Sequence, residues 1–217
     1  MNTPPLAGIP AASPAGPWTA LPLFPLGTVL FPEGLLQLKV FEARYLDLVS
    51  HCLRTQTPFG VVSIHQGSDV RGAGPDKTRF ETTGVLAHLQ DVDAEQPGIL
   101  RVRCAGGQRV LLGAAHQRAD GLWLAEATTG PDDIPASVPP ELAPTARALG
   151  QAIESLAAQD QHPFLQPHRL ADAGWVANRW CEILPISRAA KQRLMVLDEP
   201  VLRLKLVDEY LRAKGVV

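Results

Sequence analysis

Residues 21–49 read LPLFPLGTVLFPEGLLQLKVFEARYLDLV, and this stretch decides the interpretation of the whole chain. It holds three prolines and two glycines among many leucine, valine and phenylalanine residues. Because almost no side chain in it is chemically reactive, the stretch predicts an element that packs and binds rather than one that catalyses. From Phe41 onward, apolar residues recur at three- and four-residue spacing, through Tyr45 and Leu48 to Cys52, which predicts a helix beginning at Phe41.

The composition is that of a globular protein without a strong electrostatic preference. The chain has 217 residues, of which 46% are hydrophobic and 19% charged, and its formal net charge is −2. Such a charge gives no support for binding to nucleic acid or to a membrane surface. No apolar run reaches the roughly 20 residues that a membrane-spanning helix needs. Three scattered cysteines argue against a disulfide framework or a cysteine-based zinc site, so we expect a reducing compartment. Residues 1–19 lack the basic start of a signal peptide, so a cytoplasmic location is expected by elimination.

The middle of the chain shows the two-residue alternation of β-strands. Residues 59–65 predict a short strand, 66–77 a loop, 83–90 a second strand and 91–98 a polar turn. In the next strand, apolar residues lie on one face, whereas Arg101 and Arg103 lie on the other. Gly106-Gly107 and Asp120-Gly121 predict two hairpin turns, because glycine tolerates positive φ. Consecutive hairpins predict a curled antiparallel sheet.

The last third of the chain changes to helical spacing. Its helices are expected at 141–159, 170–184 and 188–197, the last of these capped by Ser187. Asp198 is expected to cap a final helix that places Leu202, Leu206 and Tyr210 on one face. The predicted organisation is a flexible leader at 1–19, a β module at 20–130, a proline-rich linker at 131–140 and a helical module at 141–217.

The known catalytic and nucleotide-binding motifs that we searched for do not occur in this sequence. There is no phosphate-binding loop, nucleophile elbow or zinc-protease signature. His51 and Cys52 are neighbours on the predicted helix and point about 100° apart, so they do not form a nucleophile–base pair. Glu42 and Arg44 are expected to diverge by about 200° and to contact different neighbours. No catalytic residue, cofactor site or metal site is therefore predicted.

The motifs in residues 21–45 resemble those of the Lon substrate-binding domain family, the N-terminal region of the ATP-dependent Lon proteases and its stand-alone relatives. The similarity continues at 59–62, at 84–87, at 100–102, around 107–110 and in the run from 180 to 211. Glu33 stands where a second glycine is usual in the family, a change that affects turn rigidity more than family membership.

The resemblance implies an α+β fold, in which a β-rich, PUA-like pseudo-barrel is followed by a C-terminal helical bundle. It implies no enzymatic activity, because the ATPase and protease domains of Lon have no counterpart in a chain ending at Val217. The implied partners are unfolded or damaged polypeptides, and the resemblance also allows a protease acting in trans. Neither a cofactor, a metal nor a membrane is implied.

The apolar opening stretch and the strand arginines supply the candidate peptide-binding residues. Core packing explains each apolar candidate equally well, and a solvated outer face explains the arginines. An RNA-binding protein is the alternative, because PUA-like folds include RNA binders and Arg109 and Arg118 extend the set of arginines. A peptidase is the weakest alternative, since no nucleophile–base arrangement is present. The peptide-binding candidates are Phe24, Leu26, Phe31, Leu35, Arg101 and Arg103.

Overall fold

The computed structural model describes residues 16–66 and 78–217. Most of the predicted leader at 1–19 and of the predicted loop at 66–77 therefore lies outside the described residues. The β-strands are β1 Trp18–Leu26, β2 Leu35–Val40, β3 Phe59–Gln66, β4 Arg79–Phe80, β5 Thr83–Gln96, β6 Ile99–Gln117 and β7 Trp123–Thr129. The helices are α1 Ala43–Thr55, α2 Ala143–Ala157, α3 Ala173–Ile183, α4 Arg188–Val196 and α5 Pro200–Ala213, and a 3₁₀ turn, Pro140–Leu142, precedes α2.

Five of these strands close into a ring. Their order is β1–β7–β6–β5–β3, and β3 pairs in parallel with β1, with Leu23 opposite Gly60, so the last strand meets the first. The other ring contacts are antiparallel. One buried cluster draws a side chain from every ring strand, as the interior of a small barrel requires. Its members are Leu21, Leu23, Val62, Leu86, Val110, Ala125 and Ala127. The expected α+β fold with a pseudo-barrel is confirmed.

A second, larger core joins the outside of the barrel to the helices. Phe24 leaves the barrel on the side opposite Leu23 and stacks on Tyr45 of α1, with ring centroids 3.8 Å apart. The same cluster includes Leu149 of α2 and Leu204 of α5. Because one core spans the β-rich and helical parts, the helices pack directly against the barrel.

Gly106-Gly107 does not form the predicted hairpin turn. β6 runs unbroken through both residues and pairs with β2 and β5 there. A Cβ on Gly106 would lie 2.2 Å from the carbonyl oxygen of Phe31, and one on Gly107 would lie 2.5 Å from the ring of His88. Glycine is therefore needed at both positions because neighbouring groups approach the strand too closely for a side chain.

The other turns are partly as predicted. Gly121 has a φ of 89° in the connection between β6 and β7, which confirms the Asp120-Gly121 turn. The polar turn expected at 91–98 is shorter than predicted, because β5 continues to Gln96 and the reversal falls at Pro97-Gly98. Gly98 has a φ of 79° there, so the glycine supplies the left-handed residue of this turn.

The last helix presents a different face from the one expected. Pro200 takes its first helical position, so Glu199 and not Asp198 is the N-cap residue. Leu202 and Leu206 are exposed, whereas the buried face includes the charged residues Arg203 and Asp208. The apolar stripe exists but is offset from the predicted one, since it consists of Leu204, Val207 and Leu211. The two charged side chains lie beside it because each has a buried hydrogen-bond partner. The N-cap predicted for α4 is confirmed, since the Ser187 hydroxyl accepts a hydrogen bond from the Ala190 amide at 3.2 Å.

The segment predicted as a linker is hydrogen-bonded to both parts of the molecule. Asp132 accepts a hydrogen bond from the Gln108 side chain at 2.9 Å. Asp133 pairs with Arg109 of β6 at 2.8 Å and with Arg203 of α5 at 2.6 Å. We call the surface on which β6, residues 131–139 and the helices meet the β–helix junction. The division of the chain into the four predicted segments stays a prediction.

A further buried arginine attaches the helices to the β1–β2 connection. Arg179 of α3 donates to the carbonyl oxygens of Pro32 and Glu33 at 2.9 and 2.5 Å. It also pairs with Glu182 at 2.7 Å and lies 5.7 Å above the ring of Trp175. A guanidinium that makes this many contacts fixes the β1–β2 connection, the centre of the opening stretch, against the helices.

Candidate functional site

An open groove with an apolar floor lies between α1 and the outer face of the barrel. Its volume is about 390 Å³, within the size range of ligand-binding pockets. We call it the α1–β7 groove. It is lined by Ala20, Pro22, Asp47, Leu48, His51, Arg118, Leu122 and Leu124.

Strand alternation places the apolar floor. Leu21 and Leu23 point into the barrel, so Ala20 and Pro22 of β1 point outward. In β7, Ala125 points inward and the preceding Leu124 lies in the groove. Successive residues of a strand point to opposite faces, and this rule alone produces the apolar outer patch.

Helix α1 forms the wall. Asp47 and His51 are four residues apart and therefore lie on one face, one turn from each other. Both are exposed, whereas Leu48 between them is buried and reaches the floor. The groove thus has an apolar base and a polar rim, the arrangement expected where an apolar side chain is to be held in a defined orientation.

Arg44 holds the helix and the β6–β7 turn together. Its Nη1 donates to the carbonyl oxygen of Gly121 at 2.8 Å, its Nη2 pairs with Glu42 at 3.0 Å, and its guanidinium lies 4.6 Å from the Tyr45 ring. The expectation that Glu42 and Arg44 diverge is wrong. It assumed that both are helical, but α1 begins at Ala43 and Glu42 has the extended backbone of an N-cap residue.

The start of α1 also differs from the prediction for Phe41. This residue precedes the helix and is 52% exposed. The buried stripe of α1 instead consists of Arg44, Tyr45, Leu48, Val49 and Cys52. The three- and four-residue spacing of apolar residues therefore identified the helix, but it assigned its first turn to the wrong residues.

The β6–β7 turn carries a charged pair at the groove rim. Asp120 accepts hydrogen bonds from Arg118, whose Nε lies 3.2 Å away, and from the amide of Leu122 at 3.0 Å. The hydrogen bond from Arg118 lowers the pKa of the Asp120 carboxyl, and the same bond raises the pKa of Arg118. Both groups are therefore charged at neutral pH.

The apolar residues predicted to bind peptide lie mostly inside the protein. Phe24, Leu26 and Phe31 belong to the larger core and are at most 7% exposed. Leu35 is half-buried at the start of β2. The three residues pack in the core of this structure, the alternative that the sequence left open. A peptide-binding role for them and for Leu35 stays a prediction.

The predicted arginines do not form one strip. Arg101 and Arg103 are exposed on β6, directly opposite Asp93 and Asp91 of β5. Opposite charges facing one another across a strand pair reduce the net potential of this face. Arg109 is buried in the β–helix junction, and Arg118 lies at the groove rim. A peptide-binding role for Arg101 and Arg103 stays a prediction.

A second cavity, of about 410 Å³, lies between the start of β5 and α4. Gln192 spans its base by donating to the carbonyl oxygen of Thr83 at 2.9 Å. Five of the seven residues that line it are polar or charged, whereas the α1–β7 groove has an apolar floor. It is lined by Glu81, Thr82, Thr83, Ala189, Gln192, Arg193 and Val196.

The described residues offer little reactive chemistry. All three cysteines are free and buried, and burial raises the pKa of Cys104 and Cys181 to about 12, so neither thiol ionises at neutral pH. Within 16–66 and 78–217, no cluster of histidine, cysteine, aspartate and glutamate side chains is suited to a metal ion. In the same residues, no helix is long and apolar enough to cross a membrane.

Sequence reasoning did not find the groove, although two signals pointed toward it. The Asp120-Gly121 turn and the Arg44 motif were both identified, and the hydrogen bond between Arg44 and Gly121 is what brings them together. They are separated by 77 positions. Neither periodicity nor local spacing reports a contact over that separation.

Comparisons with known proteins agree with the architecture. The family model described as the ATP-dependent protease La (LON) substrate-binding domain matches residues 20–213. A crystal structure of a Lon N-terminal domain protein from Xanthomonas campestris is similar at 30% identity and a TM-score of 0.67, covering 89% of this chain and 99% of that one.

The N-terminal domain of the Mycobacterium avium complex Lon protease shares the fold at 15% identity and a TM-score of 0.58, covering 88% of this chain and 97% of that one. A search of curated proteins found no match. The family model alone covers most of the chain, and the similar crystal structure spans nearly the same length. The chain belongs to the LON substrate-binding domain family.

Proposed function

We propose that this substrate-binding module holds unfolded or damaged polypeptides by an apolar side chain inserted into the α1–β7 groove, and that it does not cleave them. The single observation that carries the proposal is an open apolar floor with a polar rim, built by the family motif around Arg44. A family described by its binding of protease substrates makes polypeptide the appropriate ligand class.

Burial of apolar surface would supply the free energy of binding. Unfolded chains expose leucine and phenylalanine side chains, and burying one of them contributes about 1.5–3 kcal/mol. A single anchor gives weak, reversible binding, which suits a module that must release clients onward. We propose that the receiver is a protease acting in trans, in the cytoplasm.

RNA binding has no comparable support. The arginines that suggested it are divided among the strand face opposite Asp91 and Asp93, the buried junction and the groove rim. Single-stranded RNA is bound by basic surfaces with exposed aromatic side chains on which bases stack. The described arginines do not gather into such a surface.

The test is a fluorescence anisotropy titration with labelled, unstructured peptides that contain one leucine or phenylalanine. Leu124→Glu places a carboxylate on the groove floor, and we expect affinity to fall about tenfold or more, which corresponds to about 1.4 kcal/mol. The control is Leu111→Glu on β6, where the leucine is 50% exposed outside the groove. Circular dichroism verifies that both variants fold.

The contrast between these variants decides the proposal. We expect Leu111→Glu to bind as the wild type does. If Leu124→Glu also binds normally, or if the wild type does not bind at tens of micromolar peptide (~50 μM, a range typical of weak recognition), the groove is not the polypeptide site.

A further inference from the structure

We infer that the α1–β7 groove prefers polypeptide segments in which a lysine or arginine lies next to the apolar anchor. This inference rests on the proposed function and specifies the class of segment that it selects. It follows from the charges at one end of the groove, where α1 faces the β6–β7 turn. There, Asp47 and Asp120 carry two negative charges and Arg118 carries one positive charge. Arg44, which contacts the same turn, is neutralised by its ion pair with Glu42.

Arg118 is not available to attract an acidic ligand. Its Nε and Nη2 both bond to the carboxylate of Asp120, so the bidentate face of the guanidinium is occupied. Two parallel bonds of this kind are the geometry in which arginine binds carboxylates. A carboxylate on a client could take this bidentate position only by displacing Asp120, which also accepts the hydrogen bond from Leu122.

Because Arg118 is paired with Asp120, Asp47 is the uncompensated negative charge at this end of the groove. Among the described residues it has no ion-pair partner, yet it lies close enough to Arg118 to add to the pKa increase that the Asp120 hydrogen bond produces. Its exposed carboxylate lines the groove. A cationic side chain on a bound segment meets this carboxylate, whereas an anionic one is repelled by it.

The other charges of α1 do not cancel this preference. Glu42 and Arg44 neutralise each other in their ion pair. Arg54 is exposed seven residues beyond Asp47 and does not line the groove. Seven residues correspond to about 10 Å of helix, roughly one Debye length at 0.1 M salt. The groove therefore has an acidic end at the β6–β7 turn, and His51 lies between that end and Arg54.

The test compares two labelled peptides with the same central phenylalanine, one flanked by lysines and the other by glutamates. Titrations are done at pH 8, where histidine is uncharged, at low and at high salt. At low salt the lysine peptide should bind about threefold or more tightly, as one exposed charge pair allows. At roughly 1 M salt, where the Debye length is about 3 Å, the difference should disappear.

Two charge reversals complete the design. Asp47→Lys should reverse the order of the two peptides at low salt. Glu209→Lys is the matched control, because this exposed glutamate lies on α5, away from the groove, and it should leave the order unchanged.

The two proposals fail in different ways. If neither peptide binds the wild type, the proposed function is wrong, and the preference is wrong with it. If both peptides bind equally at low salt, or if Asp47→Lys leaves their order unchanged, the preference is overturned while the proposed function stands.

Discussion

The β–helix junction and the α1–β7 groove both contain charged side chains beside apolar ones, but they use them in opposite ways. At the junction, Arg203 is fully buried and makes bonds to Asp133, Asn178 and the Leu197 carbonyl. In the groove, the apolar floor is open and the charges of Asp47 and Arg118 remain at the solvated rim.

The difference separates structural charges from those suited to recognition. A buried charge is tolerated only when the protein supplies its partners, so the junction arginines are committed to holding the fold. A solvated rim charge costs little and can exchange water for a ligand. The groove is therefore the better place to expect a client, although the junction contains more charged groups.

The largest expected effect is a loss of stability caused by a substitution at the β–helix junction. Asp133→Asn removes the one carboxylate shared by two buried guanidiniums without changing the volume of the side chain. We expect the free energy of unfolding to fall by about 3–5 kcal/mol, the usual cost of leaving a buried charge unpaired. Urea denaturation measures this change.

The neighbouring aspartate supplies the matched control. Asp132 is exposed and makes a single hydrogen bond to Gln108, so Asp132→Asn should cost less than about 1 kcal/mol. Equal effects of the two substitutions would show that the junction charges are not the structural element described above.

A smaller effect is expected from the residue that builds the groove. Arg44→Met keeps a long apolar stem but removes the bond to Gly121 and the pair with Glu42. The protein should lose about 1.5–3 kcal/mol of stability, the range for hydrogen bonds to charged groups, and should bind apolar peptide more weakly because the β6–β7 turn is no longer fixed.

The exposed arginine on the same helix is the control for this substitution. Arg54→Met should change neither stability nor peptide affinity, since Arg54 lies outside the groove lining. Unchanged peptide binding by a folded Arg44→Met variant would contradict the role given to Arg44.

The smallest expected effect is a difference between the two regions in how pH and salt change their contributions to stability. Burial opposes ionisation of Asp133, but hydrogen bonds from Arg203 and Arg109 outweigh it and lower the pKa of the carboxyl below its ordinary value of 3.8. Its stabilising contribution is therefore complete above that pH and is lost as the pH falls through the lower, folded-state pKa.

The pKa of Asp120 is also lowered, by its hydrogen bond from Arg118, but this carboxyl lies at the surface. In urea denaturation series at several pH values, roughly 1 M salt should remove the contribution of Asp120 and leave that of Asp133. If salt changed the loss of stability at low pH equally in the Asp133→Asn and Asp120→Asn proteins, this distinction between the two aspartates would be wrong.

Much of the fold could be predicted because its signals are local. Period-two alternation placed Val102 and Cys104 on the buried face of β6 and Arg101 and Arg103 on its exposed face, as observed. Side-chain capping by Ser187 and the glycine turn at Gly121 likewise depend on neighbouring residues only. These features follow from steric and hydrogen-bonding rules that act over a few positions.

The errors arose where distant residues decide local structure. Gly106 resembles a turn residue in sequence, but it is small because the Phe31 carbonyl crosses it. Arg203 is buried on α5 beside Leu204, because Asp133, 70 positions away, is there to pair with it. The groove depends in the same way on the contact between Arg44 and Gly121. Three-dimensional proximity of this kind is not encoded in periodicity.

The most direct test of the account is an NMR titration of the ¹⁵N-labelled chain with an unstructured peptide containing one phenylalanine flanked by lysines. We expect amide shifts to concentrate in residues 19–22, 47–51 and 118–124, which surround the α1–β7 groove. Shifts centred instead on Leu35, Arg101 and Arg103, with residues 118–124 unaffected, would contradict it and would place the polypeptide on the outer face of β2 and β6.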